Sequence, residues 1–130
     1  MVTDPISDFI VRIKNASDAG KTSVSIPYST LKESIAHALA KGGYISSIEI
    51  KGKKIDKTIE IGIIFIGNEP RLHGVERISK PSRRLYRKSK DIRMFKSGFG
   101  NTFLSTPQGI MIDSDAKRAK VGGEILFKIW

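Results

Sequence analysis

The sequence predicts an α+β protein of two small domains: an N-terminal α-β-α-β-β sandwich over residues 1–68, and a C-terminal, mostly β domain with one short helix over residues 69–130. Three observations predict it. Apolar residues recur twice at helical spacing before Gly43. From Tyr44 onward the short segments are strand-like, and several alternate. Gly67-Asn68-Glu69-Pro70 then breaks the pattern with turn-forming residues and reads as a linker. The 130 residues suffice for two such units, and 39% hydrophobic content allows each a core.

Taken in order, Asp4-Pro5 opens the first helix, with Asp4 as cap and Pro5 at the first helical position. Ile6, Phe9, Ile10 and Ile13 form its apolar face, Arg12, Lys14 and Asn15 point elsewhere, and Gly20 ends it. Val24–Pro27 is a short strand. Ser29 or Thr30 caps the second helix, and Thr30 with Glu33 matches a capping box. Leu31, Ile35, Ala38 and Leu39 form the buried face, and Gly42-Gly43 stops the helix. Tyr44–Ile50 and Ile59–Ile66 form a hairpin around Gly52-Lys53-Lys54, with Ile59, Ile61, Ile63 and Phe65 on one face. In the second half, Val75–Ile78 and Arg84–Tyr86 are strands flanking Lys80-Pro81-Ser82, and Ile92–Lys96 is a helical turn. Thr102–Ser105 and Ile110–Ile112 form a hairpin. Asp113 or Ser114 caps a short helix carrying Ala116 and Ala119, ended by Gly122-Gly123, and Ile125, Phe127 and Ile129 alternate in a last strand.

The net charge of +10 is not spread evenly. Residues 1–70 carry nine Lys/Arg against eight Asp/Glu, residues 71–100 ten against two, and residues 101–130 four against three. A charge that served only solubility would be dispersed, so the concentration in one segment indicates a local anion-binding surface. The chain has no cysteine, which removes disulfides, thiolate catalysis and the common zinc sites. Its first residues lack the basic and apolar regions of a secretory signal, and its longest apolar run, Ile61–Ile66, is too short to span a bilayer. The expectation is a soluble, intracellular protein without membrane partners.

Catalysis finds no support. Ser105 as a nucleophile would need a base, and the two histidines, His37 and His73, stand in no recognisable motif. Asp113-Ser114-Asp115 starts no calcium loop, so no metal site is expected. Gly98-Phe99-Gly100 begins like a dinucleotide fingerprint, but Phe103 replaces the third glycine, so no cofactor is expected. The same stretch echoes an RNA-recognition aromatic motif, with Asn101 where the stacking ring belongs.

The basic segment Arg77-Ile78-Ser79-Lys80-Pro81-Ser82-Arg83-Arg84-Leu85-Tyr86-Arg87-Lys88 survives this screening. Its cations neutralise phosphates, its hydroxyls bond phosphate and ribose oxygens, and Tyr86 stacks on a base. A tyrosine among arginines favours nucleic acid over a membrane, which would call for a basic amphipathic helix. The plainer alternative is a charged edge strand that resists aggregation. Beside it, the turn Ser105-Thr106-Pro107-Gln108-Gly109 offers hydroxyl and amide groups suited to a shallow RNA minor groove.

Thr3-Asp4-Pro5-Ile6-Ser7-Asp8, Arg12-Ile13-Lys14-Asn15-Ala16, Ser79-Lys80-Pro81, Arg84-Leu85-Tyr86, Ser105-Thr106-Pro107-Gln108-Gly109-Ile110-Met111 and Val121-Gly122-Gly123-Glu124-Ile125 occur in the order found in the S-eight family of small-subunit ribosomal proteins, which the chain resembles over its whole length. The bacterial type is the nearest match, an organelle of bacterial origin included. The resemblance implies a primary rRNA-binding protein, cytoplasmic and within the small ribosomal subunit. It would hold the central domain of small-subunit rRNA during assembly, beside neighbouring small-subunit proteins. It also implies, for some relatives, repression of their own operon mRNA. By motif, the resemblance assigns RNA contact to Ser105, Thr106, Pro107, Gln108 and Gly109, to Tyr86, and to Gly122, Gly123 and Glu124. Thr3, Asp4, Pro5, Arg12, Lys14 and Asn15 would meet a neighbouring rRNA helix. Arg77, Lys80, Arg83, Arg84, Arg87 and Lys88 would supply salt-dependent affinity. The sequence departs from the family at Pro107 and Gln108, where a second serine and a basic residue are common, at Ser82 for a glycine, and at Phe127-Lys128 for Cys-Tyr. A free-standing RNA chaperone or regulator would present the same surface without a fixed place in ribosomal subunits. A hydrolase built on Ser105 would instead react with serine-directed probes.

Overall fold

The computed structural model describes residues 4–80, 83–92 and 100–130. Thr3, Pro81, Ser82, Gly98-Phe99 and the part of the expected Ile92–Lys96 turn beyond Ile92 lie outside the described residues. The chain forms two compact units. One is Asp8–His73. The other joins the start of the chain, up to Ser7, with Gly74–Trp130. The fold is α+β, with two main sheets and a short hairpin.

In the N-terminal half, helix α1 (Pro5–Asp18) begins where expected, with the Asp4 carboxylate accepting from Ser7 N at 3.2 Å. Helix α2 (Thr30–Lys41) is capped by Ser29, whose Oγ accepts from Lys32 N at 3.1 Å. Thr30 is therefore helical and forms no capping box with Glu33. The Glu33 carboxylate instead accepts from the Tyr28 hydroxyl at 2.8 Å. Strands β1 (Ser23–Pro27), β2 (Ile45–Lys51) and β3 (Thr58–Ile63) form an antiparallel sheet with β3 in the centre. The register sets Val24 and Ile48 against Ile61, and Ile26 and Ile50 against Ile59, so one face is apolar. Phe9, Ile10 and Ile13 of α1, Ile35, Ala36 and Leu39 of α2, and Ile26, Ile59 and Ile61 of the sheet are buried.

Three further expectations fail in this unit. Leu31 is 43% exposed. Helical spacing assigns it to the face of Ile35, but it sits in the first turn, and spacing does not say how far the layer beneath extends. The strand expected over Ile59–Ile66 is two. It stops at Ile63 and resumes as β4 (Phe65–Ile66), which pairs with β5 (Glu69–Pro70) around Gly67-Asn68. The supposed linker is thus a tight hairpin turn, with Gly67 at φ +65°.

In the C-terminal unit, β10 (Gly123–Ile129) is the central strand. It pairs with β8 (Asn101–Thr106) on one side, and with β6 (Val75–Arg77) and β7 (Tyr86–Arg87) on the other. Strand β9 (Gly109–Ile112) completes the hairpin with β8. Along the middle of β8 and the second half of β10 the sheet is buried on both faces. Phe103 and Phe127 stack with ring centroids 4.9 Å apart. Leu104, Ile92 and Ala116 cluster with Met111, Val121 and Ile125. The expected alternation Ile125-Phe127-Ile129 is broken by a bulge between Ile125 and Phe127, which leaves both Leu126 and Phe127 buried.

Helix α3 (Asp113–Ala119) follows β9 directly, and Ala119 is exposed. Asp113 is the first helical residue rather than the cap, and it accepts from Ser114 N and Asn101 Nδ2. Gly122-Gly123 does not end this helix. Lys120 does, in the left-handed conformation at φ 59°.

Candidate nucleic-acid interface

The sheet of the C-terminal unit brings three distant segments into one row. Glu124 of β10 lies opposite Ser105 of β8 on one side and opposite Tyr86 of β7 on the other. Directly opposed residues of antiparallel strands project from the same face, with Cβ atoms about 5 Å apart. Tyr86, Glu124 and Ser105 are therefore side by side. Tyr86 is 62% exposed. The Ser105 hydroxyl has no hydrogen-bond partner among the described residues. The Glu124 side chain is only 12% exposed, and Arg84 Nη1 reaches its carboxylate at 3.3 Å. Glu124 so placed anchors an arginine of the basic segment and keeps acceptor capacity to spare.

Gly122 and Gly123 make this row possible. A Cβ at Gly123 would overlap the Ser105 carbonyl oxygen and stand 2.8 Å from its carbon. One at Gly122 would overlap the Arg87 carbonyl oxygen and stand 2.8 Å from Lys88 Cα. The start of β10 is thus wedged between two backbones, and a side chain at either position would force them apart. Periodicity shows where a helix ends, not which backbones approach later, so the sequence assigns the glycines to the wrong task.

The hairpin turn is held by Thr106. Its hydroxyl donates to the Gly109 carbonyl at 2.8 Å and accepts from Gln108 N at 3.1 Å. Gly109 adopts φ +112°, which a side chain would strain. Pro107, Gln108 and Gly109 are exposed. Thr106 therefore shapes the turn, while the half-buried Ser105 hydroxyl and the exposed Gln108 amide have no hydrogen-bond partner among the described residues.

The basic segment divides into exposed and engaged residues. Lys80, Arg83, Arg84, Arg87 and Lys88 are exposed. Lys80 and Arg83 pair through reciprocal backbone bonds of 2.8 and 2.9 Å. Arg77 is not a free cation: its guanidinium grips the Asp4 carboxylate through Nε at 2.9 Å and Nη2 at 3.3 Å, and also donates to the Leu126 carbonyl. Its side chain is 11% exposed, so its charge is neutralised within the unit. Ser79 is likewise no outward hydroxyl. It is fully buried, accepts from Leu85 N at 2.8 Å and donates to Leu85 O at 3.2 Å. It ties position 79 to position 85, on either side of Lys80, Arg83 and Arg84. The sequence signal for both roles is faint, because a serine or arginine within a basic run looks the same whichever way it points.

Of the N-terminal candidates, Asp4 serves as helix cap and partner of Arg77, and Pro5 is exposed. In the other unit, Arg12 and Asn15 line an open groove with Ala16, Ala19, Lys21 and Val24. Arg12 forms an exposed ion pair with Asp8 at 3.2 Å, and Lys14 is held by both Asp18 oxygens at 2.6 Å. These i,i+4 pairs leave Asn15 as the uncommitted polar group among the three. Titration shifts arise in this unit too. The hydrogen bond from Tyr28 lowers the Glu33 carboxyl below its ordinary value, with a smaller contribution from His37. The same bond to Glu33 raises the Tyr28 phenol. The Glu60 carboxylate, then Glu49, raises Lys51.

Among the described residues, no cluster of three or more metal-ligating side chains occurs, and no helix is long and apolar enough to cross a membrane. The arrangement combines exposed cations, an exposed aromatic ring, and hydroxyl and amide groups at one end of the sheet.

Comparison with known proteins agrees along the full length. The family model described as "Ribosomal protein S8" matches residues 4–130. Proteins named "Small ribosomal subunit protein uS8" are similar throughout. That of Mycoplasmopsis synoviae is 45% identical over 130 residues, covering 99% of this chain and 98% of the relative. That of Persephonella marina is 43% identical over 136 residues, covering all of both chains. That of Dictyoglomus thermophilum is 42% identical over 129 residues, covering 99% and 98%.

Proposed function

The chain belongs to the ribosomal protein S8 family, and on that premise we propose that it is a non-catalytic structural constituent of the small ribosomal subunit that binds rRNA through its C-terminal unit. We assign it the central domain of small-subunit rRNA as primary target, with neighbouring small-subunit proteins as further partners. An mRNA segment imitating that rRNA site would bind the same surface, which is the route by which such a protein would repress its own operon.

The observation that carries the reading is the row Tyr86–Glu124–Ser105, assembled from three strands beside the Lys80–Lys88 cations. Cations give affinity for any phosphate backbone, whereas a tyrosine face, a serine hydroxyl and a fixed turn give a site with one shape. Within this reading Lys80, Arg83, Arg84, Arg87 and Lys88 hold phosphates. Tyr86 stacks on a base, and Ser105 with Gln108 bonds base edges or ribose hydroxyls. Thr106, Pro107, Gly109, Gly122 and Gly123 fix the turn and the strand approach, and Glu124 positions Arg84. Asn15 and Arg12 supply a separate polar contact on the N-terminal unit.

The test is a binding titration of the pure protein against an rRNA central-domain fragment and a scrambled duplex at two salt concentrations. Selective binding that persists at the higher salt supports the reading. Equal, salt-sensitive binding to both RNAs reduces the surface to a basic patch and overturns it.

A further inference from the structure

We propose that the C-terminal end of α3 extends this RNA interface, with Lys120 and Lys117 forming a phosphate-holding track continuous with Arg87, Lys88 and Lys90; the inference rests on the rRNA-binding reading above. It starts from a backbone irregularity. Among the described residues Lys120 is the non-glycine with positive φ, at 59° and ψ 38°. This left-handed position after a helix is one that glycine or asparagine fills with less strain. A lysine could complement the helix dipole from any position in the last turn, so the dipole does not explain its presence here. A strained residue kept where an easier one would fit points to a use for its side chain.

The surroundings indicate that use. Lys120 is exposed, as is Lys117, and neither has an ion-pair partner among the described residues. Two residues on, Gly122 abuts the Arg87–Lys88 backbone so closely that a Cβ there would stand 2.8 Å from Lys88 Cα. Gly123 then pairs with Arg87. The short turn Ser89–Asp91, bearing exposed Lys90, also packs against α3. The chain thus folds Lys117 and Lys120 toward the end of the basic segment, next to the glycine notch that separates Arg87 from the Ser105–Thr106 turn. The acidic groups nearby do not cancel them: Asp115 pairs with Arg118 at 3.4 Å and Glu124 with Arg84, which leaves exposed Asp91 and buried Asp113 against five cations. That charge complements a run of phosphates leading up to the site row.

The test uses the full chain and the two RNAs above, with Lys120→Gly, Lys117→Gln, their double variant, and Lys53→Gln as a control from the other unit. Glycine suits the backbone at position 120, so Lys120→Gly is expected to keep or raise the thermal midpoint. Each track variant is expected to weaken binding about three- to tenfold at low salt and to reduce the slope of log affinity against log salt by about one, with the double variant losing about two. Lys53→Gln leaves the slope at the wild-type value. A double variant with wild-type slope and affinity, while the wild type still selects its RNA, overturns the track alone. A loss matched by Lys53→Gln overturns it as a general charge effect. A wild type that does not discriminate the two RNAs overturns the functional reading, and the track with it.

Discussion

At the residue scale, the site depends on side chains that differ in what they touch rather than in type. Ser79, Ser105 and Thr106 are all small hydroxyl residues in or near the basic region. Ser79 is buried and bonds both backbone groups of Leu85, Thr106 pins the turn, and the half-buried Ser105 hydroxyl has no partner among the described residues. Ser79→Ala leaves the Leu85 N–H without its partner, while the Leu85 carbonyl keeps the bond from Ile125 N, and is expected to cost about 1–3 kcal/mol, read as a lower denaturation midpoint. Ser105→Ala is expected to leave stability within about 0.5 kcal/mol and to erode selectivity for the specific RNA over the scrambled duplex. Thr106→Ala should do both in part, because it frees the turn as well as removing a hydroxyl. Equal effects of all three on stability would contradict this division.

At the element scale, two connections decide how the segments are held. The Asp4–Arg77 pair ties the residues before α1 to β6, inside the C-terminal unit. Removing Arg77 takes one donor from the Leu126 carbonyl, which keeps the bond from Ile78 N, and leaves the Asp4 carboxylate with Ser7 N but without its cation. Arg77→Ala is expected to cost about 2 kcal/mol in chemical denaturation, with little change in the salt slope of RNA binding because Arg77 is not free to meet phosphate. The second connection joins β1 to α2 through Tyr28 and Glu33. The folded Glu33 carboxyl titrates below its ordinary 4.5, so its contribution is present above that value and is lost as pH falls through the lowered one. The Tyr28 phenol titrates above its ordinary 10.0, so its contribution is lost as pH rises through the raised value. Tyr28→Phe is expected to flatten the thermal-midpoint profile at both extremes. A profile identical to wild type would show that the bond adds nothing.

At the scale of the whole molecule, affinity and recognition should separate. Arg84 is exposed and supplies charge, so Arg84→Ala is expected to weaken every RNA alike and to lower the salt slope by about one. Part of that loss would come from releasing Glu124, and Glu124→Gln, which keeps the shape but drops the ion pair, measures that part. Equal loss of selectivity in Arg84→Ala and Ser105→Ala would remove the distinction between charge and site readout.

Much of this architecture was legible in the residues. The α+β class, both long helices, the hairpin around Pro107 and the location of the basic segment follow from periodicity, turn chemistry and charge, which are local properties of the chain. The likeness to a ribosomal protein family also rests on short motifs in order. What the residues alone did not reveal is pairing across the sheet. That Tyr86, Glu124 and Ser105 share a row, that Gly122 and Gly123 make room for two backbones, that Arg77 and Ser79 turn inward, and that Lys120 ends α3 are decided by segments far apart in sequence. Composition and spacing specify which groups a strand carries. Only the register of one strand against the next decides which of them stand together and which are consumed in holding the others in place.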